Sequence, residues 1–249
     1  MDESNKIVVL STNNNPDYYL YLPYQVKAWH KYGWKVCVMV TPDVTATLDA
    51  DYIITMPVVE GIRTETLAQV SRLYASLYLP TDALIMTCDM GFIPLSDYWN
   101  PDYNGITVYG HDLTDYSFVP MGYVAMTGDK WINVMGLQGV EYATNLPDKI
   151  LADVDEIGLA RSEQWEQWWN HDWTLLTKRL RQHWNKITFI NRGRRLTGTY
   201  AYGRVDRGDS MQIPPNETLI DAHCENFNTQ HPDKLNKFLA LYTSIHGKI

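Results

Sequence analysis

Apolar and polar positions alternate with two different periods along the first ninety residues. Short apolar runs predict buried strands at residues 7–12, 34–40 and 51–58, and a fourth strand that ends at Asp89. Helical spacing of apolar residues predicts helices at 16–33 and 66–80. Gly33 ends the first of these helices, and Pro23 lies near its start or kinks it. Strands separated by helices predict an α/β fold with a mostly parallel central sheet flanked by helices.

The second half of the chain follows the same periods less regularly. Apolar runs predict strands at 106–110, 122–128 and 186–190, and helical spacing predicts helices at 129–137, from 171 onward, and at 232–245. Residues 191–218 show neither the strand nor the helix period, and this pattern predicts a loop-rich segment. The chain shows no repeat, no low-complexity tract and no linker, so its 249 residues predict a single domain.

Asp89 lies where the fourth predicted strand ends, shortly before Gly91 and Pro94. Ligands of open α/β sheets bind outside the carboxyl ends of the strands, so this position predicts a carboxylate that faces a substrate or a metal ion. The same pattern equally fits an Asp that only caps the following turn. Both interpretations stay open at this point.

The charge balance argues against one class of function. The chain has 29 acidic and 21 basic residues and a formal net charge of −8, whereas nucleic-acid binding requires a basic face. The one short basic cluster in this acidic chain consists of Arg192, Arg194 and Arg195. A solvated basic turn explains this cluster more simply than a phosphate site does, so we expect no nucleic-acid partner.

The three cysteines, Cys37, Cys88 and Cys224, are widely spaced and form no CxxC pair. Their number and spacing favour neither a disulfide framework nor a zinc site, and therefore favour a reducing compartment. No apolar run approaches the about 20 residues that a membrane span needs. We expect a soluble, cytoplasmic protein without a membrane span.

Aromatic residues are unusually frequent, with nine Trp and seventeen Tyr. Both side chains combine an apolar face with a polar edge, which suits the binding of sugar rings as well as interfaces and cores. Composition alone does not choose between these uses.

Several segments together resemble the nucleotide-sugar-dependent glycosyltransferases of the GT-A fold. The matching segments are STNNNPDYYLYLP, AQVSRLYASLYLP, LIMTCDMGFIPLSDYW, YGHDLTDYSFVPMGYVAMTGDKW, WWNHDWTLL and LIDAHCE. The SRLY motif followed by the strand that ends at Asp89 is the most specific part. The resemblance implies a single GT-A (Rossmann-like) domain over residues 1–249, with a donor half at 1–110 and an acceptor half at 111–249. Its implied partners are a nucleoside-diphosphate sugar, with UDP-sugars among the candidates, and an oligosaccharide or glycan acceptor.

The metal motif of that family departs from its pattern in this chain. The family's Asp-x-Asp implies a divalent cation that bridges the diphosphate of the donor, but here the motif is Asp89-Met90-Gly91. The resemblance implies Mn²⁺ or Mg²⁺ bound by Asp89 and His223, and these ions prefer oxygen ligands. The alternative is a metal-free mode in which Arg or Lys neutralises the leaving group.

The resemblance places donor recognition at three further points of the chain. It implies that Ser11, Thr12 and Asn13 bind the nucleotide base, with Tyr18 stacking on it, although the same residues also fit a turn and a helix cap. Arg72 is the candidate for the diphosphate, because a guanidinium binds phosphate oxygens bidentately; the alternative is an ion pair with Glu65 or Asp82. The weaker candidates for the hydroxyls of the donor sugar are His111 and Asp112.

Asp172 is the candidate general base, because it resembles the acidic residue that many GT-A enzymes place beneath the acceptor. This role implies inversion of the anomeric configuration, whereas a plain helix N-cap leaves a retaining route open. Trp169 and Trp173 are the candidates for acceptor binding.

Two other functions compete with glycosyl transfer. A sugar-phosphate nucleotidyltransferase would have a Gly-rich, basic loop after the first strand, and residues 11–17 contain neither glycine nor a basic residue. A non-catalytic nucleotide-sugar-binding module, with its second metal carboxylate lost at Gly91, predicts donor binding without turnover.

Overall fold

A computed structural model describes residues 5–114, 116–142, 144–158, 171–192, 203–205, 219–224 and 232–247. The strands in this part of the chain are β1 (Lys6–Thr12), β2 (Lys35–Val40), β3 (Tyr52–Thr55), β4 (Leu84–Thr87), β5 (Phe92–Pro94), β6 (Ile106–Tyr109), β7 (Val124–Thr127), β8 (Ile187–Ile190), β9 (Arg204–Val205) and β10 (Asp221–His223). The helices are α1 (Pro16–Tyr19), α2 (Leu22–Lys31), α3 (Thr64–Ser71), α4 (Gly128–Met135), α5 (Leu146–Glu156), α6 (His171–Leu180) and α7 (Pro232–His246).

The central sheet has seven strands in the order β3-β2-β1-β4-β7-β6-β8. All neighbours are parallel except β7, which is antiparallel to both β4 and β6. The predicted α/β class, with a mostly parallel sheet flanked by helices, is therefore confirmed. Because β1 and β4 are adjacent and parallel, Ser11 and Asp89 reach the same edge of the sheet.

Side chains of β1 alternate between two cores, as the period of two in a strand requires. Ile7 and Val9 enter one core, which α3, α4, α5 and α6 complete with residues such as Leu67 and Leu176. The neighbouring Val8 and Leu10 enter the other core, which α2, α7 and the smaller sheet complete. Continuous apolar runs result from this burial on both faces.

The smaller sheet has three strands in the order β5-β10-β9. The antiparallel pair of β5 and β10 sets His223 opposite Phe92, and the parallel pair of β9 and β10 sets Asp221 opposite Arg204. Asp221 and His223 are two residues apart on one strand, so their side chains project from the same face. This sheet brings residues from the end of the chain to the turn after β4.

Two predicted helices differ from the structure, and a third helix was not predicted. The helix predicted at 16–33 is two helices, and Pro23 lies at the start of α2, where its missing N–H removes no hydrogen bond. The helix predicted at 66–80 ends at Ser71 and continues as a 3₁₀ helix, Arg72–Leu77. Helix α5 was not predicted.

Among the described helices, none combines the length and apolar character that crossing a bilayer requires. The three cysteines are buried free thiols.

Candidate functional site

One cavity of about 960 Å³ opens at the carboxyl edge of the central sheet. Nine of the residues that the sequence proposes for a site line it: Ser11, Thr12, Asn13, Tyr18, Arg72, Asp89, Asp172, Trp173 and His223. Parallel strands and the helices that follow them deliver these residues from distant parts of the chain to one edge. The volume is within the range typical of small-molecule sites, about 300–1,000 Å³.

Arg72 joins two carboxylates on the wall of this cavity. Its Nη1 donates to Asp89 Oδ1 and, at 2.7 Å, to the carbonyl of Cys88, while its Nη2 donates to Asp172 Oδ2 at 2.5 Å. Arg72 therefore pairs with Asp89 and Asp172 rather than with Glu65 or Asp82, the partners considered from the sequence. The guanidinium couples the strand-end carboxylate to the candidate base.

Burial dominates the electrostatics of this triad. The Asp172 side chain is 2% exposed, and burial raises the pKa of its carboxyl to about 6, although the charge of Arg72 acts in the opposite direction. Burial lowers the pKa of Arg72, but the charges of Asp89 and Asp172 raise it more, so the guanidinium stays protonated. Asp172 is a carboxylate whose protonation changes close to neutral pH.

Asp172 is the second residue of α6, so it is not the plain N-cap considered from the sequence. Its Oδ1 accepts the N–H of Trp173 at 2.8 Å, and its other oxygen binds Arg72. Asp89 likewise does more than cap a turn, because its carboxylate binds Arg72.

Gln25 of α2 holds the turn that carries Asp89. Its Nε2 donates to the carbonyls of Met90 at 2.8 Å and Phe92 at 2.7 Å, and its Oε1 accepts from Trp29 Nε1 at 2.9 Å. The side chain is fully buried, so these bonds fix the turn against the helix.

A second charged cluster lies beside the cavity, on the smaller sheet. The Asp221 carboxylate accepts hydrogen bonds from Arg192, Arg204 and the Tyr123 hydroxyl at 2.7–3.1 Å. Burial raises the pKa of Asp221, but the charges of the two arginines lower it more, to well below its usual range. The prediction that Arg192 lies in a solvated turn is wrong, because its side chain is fully buried. Arg194 and Arg195 lie outside the described residues.

Arg204 lines the cavity and stacks over the ring of Phe92, with its Cζ 4.4 Å from the ring centroid. His223 contacts the same ring edge-on, with centroids 4.4 Å apart. Gly122 makes room for this stack, because a Cβ there would lie 2.4 Å from Phe92 Cε2.

Among the residues that the structure describes, the side chains beside Asp89 do not fit a resident divalent cation. Asp89 and His223 line the same cavity, but Asp89 is bound to Arg72 and position 91 offers no carboxylate. The part of the chain that the structure describes contains no group of three or more His, Cys, Asp or Glu side chains arranged to hold a metal ion.

Solved structures share this architecture. A galactosyltransferase, LgtC, in complex with donor and acceptor sugar analogues aligns with a TM-score of 0.50 at 11% identity, over 96% of this chain and 96% of that chain. An active-site mutant of LgtC aligns with a TM-score of 0.49 at 12% identity, over 93% of this chain and 95% of that chain. No protein-family model and no curated protein sequence matches the chain. This chain has the GT-A fold.

In this GT-A fold, the end of β1 and the loop after it line the cavity. Asn15 also caps α1, with its Oδ1 accepting the N–H of Asp17 at 3.0 Å, so turn chemistry and cavity lining coexist there. The structure does not place His111 and Asp112 on the cavity: His111 stacks on Phe189, and Asp112 accepts the backbone N–H of Arg192 at 3.1 Å. Trp173 lines the cavity, whereas Trp169 lies outside the described residues.

Sequence analysis missed the roles of Gln25, Arg204 and Asp221. A signal for Gln25 exists, because it occupies a core-facing position of α2 between Leu22 and Trp29 at helical spacing. Asp221 lies in the segment LIDAHCE, two residues before His223. An acid in a buried strand needs a charged partner, so its position is a signal for an ion pair. No local pattern singles out Arg204.

Proposed function

We propose that this protein is a glycosyltransferase that moves a hexosyl or pentosyl group from a nucleoside-diphosphate sugar to a hydroxyl of a glycan acceptor. One observation carries the proposal: Arg72 bridges Asp89 and Asp172 on the wall of a cavity at the carboxyl edge of a GT-A sheet. A strand-end carboxylate and a second acid with a raised pKa then face one ligand volume.

The donor lies along the cavity in this proposal. Ser11, Thr12 and Asn13 hydrogen-bond the base, and Tyr18 stacks on it. Asp89 and Arg72 bind the sugar-diphosphate portion, since both reach the cavity at the end of β4 and the start of the 3₁₀ helix.

Asp172 acts as the general base. The acceptor hydroxyl attacks the anomeric carbon, the bond between that carbon and the diphosphate oxygen breaks, and its electron pair leaves with the diphosphate. The hydroxyl proton moves to the Asp172 carboxylate, whose pKa of about 6 suits proton transfer near neutral pH. Direct displacement of this kind inverts the anomeric configuration, and the stereochemistry of the product tests it.

Trp173 lines the same cavity next to the proposed base and offers an aromatic face to the acceptor, together with Trp169. We assign residues 1–249 to a single domain, with 1–110 as its donor half and 111–249 as its acceptor half. The buried free thiols Cys37, Cys88 and Cys224 support a reducing, cytoplasmic location.

A panel of UDP-, GDP- and dTDP-sugars tests the proposal on the purified chain by thermal shift, followed by transfer assays with oligosaccharide acceptors. One donor class is expected to raise Tm, as any ligand that binds only the folded state does, and to yield a glycosylated product. The free nucleosides serve as the control for binding of the base alone. A protein that no sugar nucleotide stabilises would exclude the proposal.

A non-catalytic nucleotide-sugar-binding module is the second candidate. It is favoured by the ion pairs of Arg72, which engage both carboxylates of the site. Donor binding without transfer or donor hydrolysis, over the pH range 5–9 in the same assays, identifies this function.

A further inference from the structure

One polar atom on the described part of the cavity wall has no hydrogen-bond partner. Several buried side-chain nitrogen and oxygen atoms of the described residues lack such a partner, and among them Oε1 of Gln69 belongs to a residue that lines the cavity. A buried acceptor that is left unbonded costs free energy in the folded chain, because it has lost its hydrogen bond to water. The described contacts of the chain give this group no reason to be polar, whereas a ligand that donates a hydrogen bond does.

Gln69 lies on the face of α3 that borders the cavity, beside the proposed reaction centre. Glu65, Gln69 and Arg72 follow one another at helical spacing, and all three line the cavity. The backbone carbonyl of Gln69 accepts a hydrogen bond from Nε of Arg72 at 3.3 Å, and three residues of an α-helix rise by about 4.5 Å, so the two side chains are neighbours. Arg72 in turn binds Asp172, the proposed base. The sugar-diphosphate portion of a donor is therefore the part that comes closest to Gln69.

The chemistry of an amide selects the kind of group that Gln69 binds. The diphosphate of a sugar nucleotide has no hydrogen to donate at neutral pH, so it cannot satisfy an unbonded oxygen acceptor. A hydroxyl group both donates and accepts hydrogen bonds, and so does an amide. The amide is also uncharged, so it does not repel a neighbouring diphosphate as a carboxylate would. Among the groups of a donor near Arg72, a hydroxyl of the sugar fits these requirements.

We infer that Gln69 binds a hydroxyl group of the donor sugar and thereby contributes to the choice of the sugar. The inference rests on the proposed function. Oε1 is buried in the free chain, but the residue as a whole is only partly buried and lines the cavity, so a change in its side-chain torsions brings the oxygen to the ligand. A site that bonds a substrate hydroxyl discriminates against the analogue that lacks it, because the polar group of the protein is then left unpaired. Gln69 sets specificity in this way and takes no part in breaking the glycosidic bond.

The experiment measures by calorimetry the affinity for a sugar nucleotide and for its nucleoside diphosphate. The sugar nucleotides are UDP-glucose, UDP-galactose, GDP-mannose and dTDP-glucose, and the matching diphosphates are UDP, GDP and dTDP. Gln69→Met keeps the length of the side chain and removes the amide. It is expected to weaken binding of the preferred sugar nucleotide about tenfold, the loss typical of one hydrogen bond, while the affinity for the diphosphate stays within about twofold.

Deoxyfluoro analogues of the same donor identify the hydroxyl group. Fluorine in place of one hydroxyl of the sugar is similar in size, but it cannot donate a hydrogen bond. The wild type is expected to bind one of these analogues about tenfold more weakly than the parent, whereas Gln69→Met should bind the two equally well. Gln69→Glu keeps an oxygen acceptor and should therefore retain the discrimination.

Thermal stability separates a ligand contact from a structural one, and two other glutamines serve as matched controls. Gln25→Met removes an amide that makes hydrogen bonds within the chain, so it is expected to lower Tm. Gln69→Met is expected to leave the Tm of the free chain unchanged or to raise it, because its Oε1 has no partner to lose. Gln138→Met, at an exposed residue that does not line the cavity, should change neither Tm nor the two affinities.

Any of four results would overturn the inference. These are a fall in Tm of Gln69→Met comparable with that of Gln25→Met, unchanged affinity of Gln69→Met for the sugar nucleotide, an equal loss for the sugar nucleotide and its diphosphate, and a wild type that binds every deoxyfluoro analogue as tightly as the parent. Each leaves donor binding by the wild type intact and so spares the proposed function. A wild type that binds none of the sugar nucleotides would instead reject the proposed function together with the inference.

Discussion

At the scale of single residues, the chemistry of the site depends on one arginine placed between two acids. Arg72 has its guanidinium shared by Asp89 and Asp172, and it is 6% exposed. Burial raises the pKa of Asp172, whereas the positive charge of Arg72 lowers it, and burial is the larger effect. The state of Asp172 therefore changes within the pH range in which enzymes operate.

We expect the rate of transfer to rise with pH through about 6 and to level off above it, because only the ionised Asp172 accepts a proton. The measurement is the pH profile of kcat/KM. Asp172→Asn should remove this limb and slow transfer about 100-fold or more, with donor affinity close to that of the wild type. Donor affinity over the same pH range is the control, and a limb that persists in Asp172→Asn would exclude Asp172 as the base.

The same shift has a consequence for stability with a definite sign. The folded chain holds the proton of Asp172 more tightly than the unfolded chain, where an Asp carboxyl has a pKa of about 3.9. The contribution of Asp172 to the free energy of unfolding therefore falls as pH rises from about 4 to about 6.

At the scale of elements, helix α2 and strand β5 hold the turn that presents Asp89. The amide of Gln25 donates to the carbonyls of Met90 and Phe92 in this turn, and its side chain is fully buried. Removing one partner of a buried hydrogen bond leaves the other unsatisfied, which costs more than the bond contributes.

Gln25→Met keeps the shape of the side chain and removes its polar groups. We expect it to lower the free energy of unfolding by about 1–3 kcal/mol and to weaken donor binding, because the carbonyls of Met90 and Phe92 lose their donor. Urea denaturation and calorimetry measure the two effects. Gln138→Met, at an exposed residue, is the control and should change stability by less than about 0.5 kcal/mol. Equal stability of the two variants would contradict the assigned role of Gln25.

At the scale of the whole molecule, two of the buried charged networks differ in their position relative to the cavity. The network at the cavity joins Arg72 to its two acids. The other is centred on Asp153, whose carboxylate accepts from the Tyr74 hydroxyl at 2.8 Å and from Lys149 and Arg179 at 2.6 Å. These four residues do not line the cavity, and they connect α5, α6 and the 3₁₀ helix.

Asp153→Ala should therefore separate stability from ligand binding. We expect a loss of about 3 kcal/mol in the free energy of unfolding, because Tyr74, Lys149 and Arg179 lose the acceptor that Asp153 supplies. The Kd of the sugar donor should stay unchanged at temperatures where the variant is folded. Asp155→Ala, at an exposed position of the same helix, is the control for the substitution. A donor Kd that changes in parallel with stability would show that the two networks are coupled.

Most of the central sheet was predictable, because each of its strands coincides with a local run of apolar residues. The position of Asp89 was predictable for the same reason, since a strand end is visible in the sequence. The smaller sheet was not, because its strands are two or three residues long and pair across most of the chain. Arg192 illustrates the limit: three arginines in a polar segment are typical of a solvated turn, and only its distant partner Asp221 explains its burial.

The period, order and types of the residues along the chain are enough to predict the α/β class, the edge of the sheet at which polar side chains collect, and the absence of a carboxylate at position 91. The partners of the charged side chains are visible only in the folded chain, where Arg72 pairs with Asp89 and Asp172, and Arg204 pairs with Asp221. The physical reason is that an ion pair depends on distance in space, and separation along the chain does not specify that distance until the elements have packed.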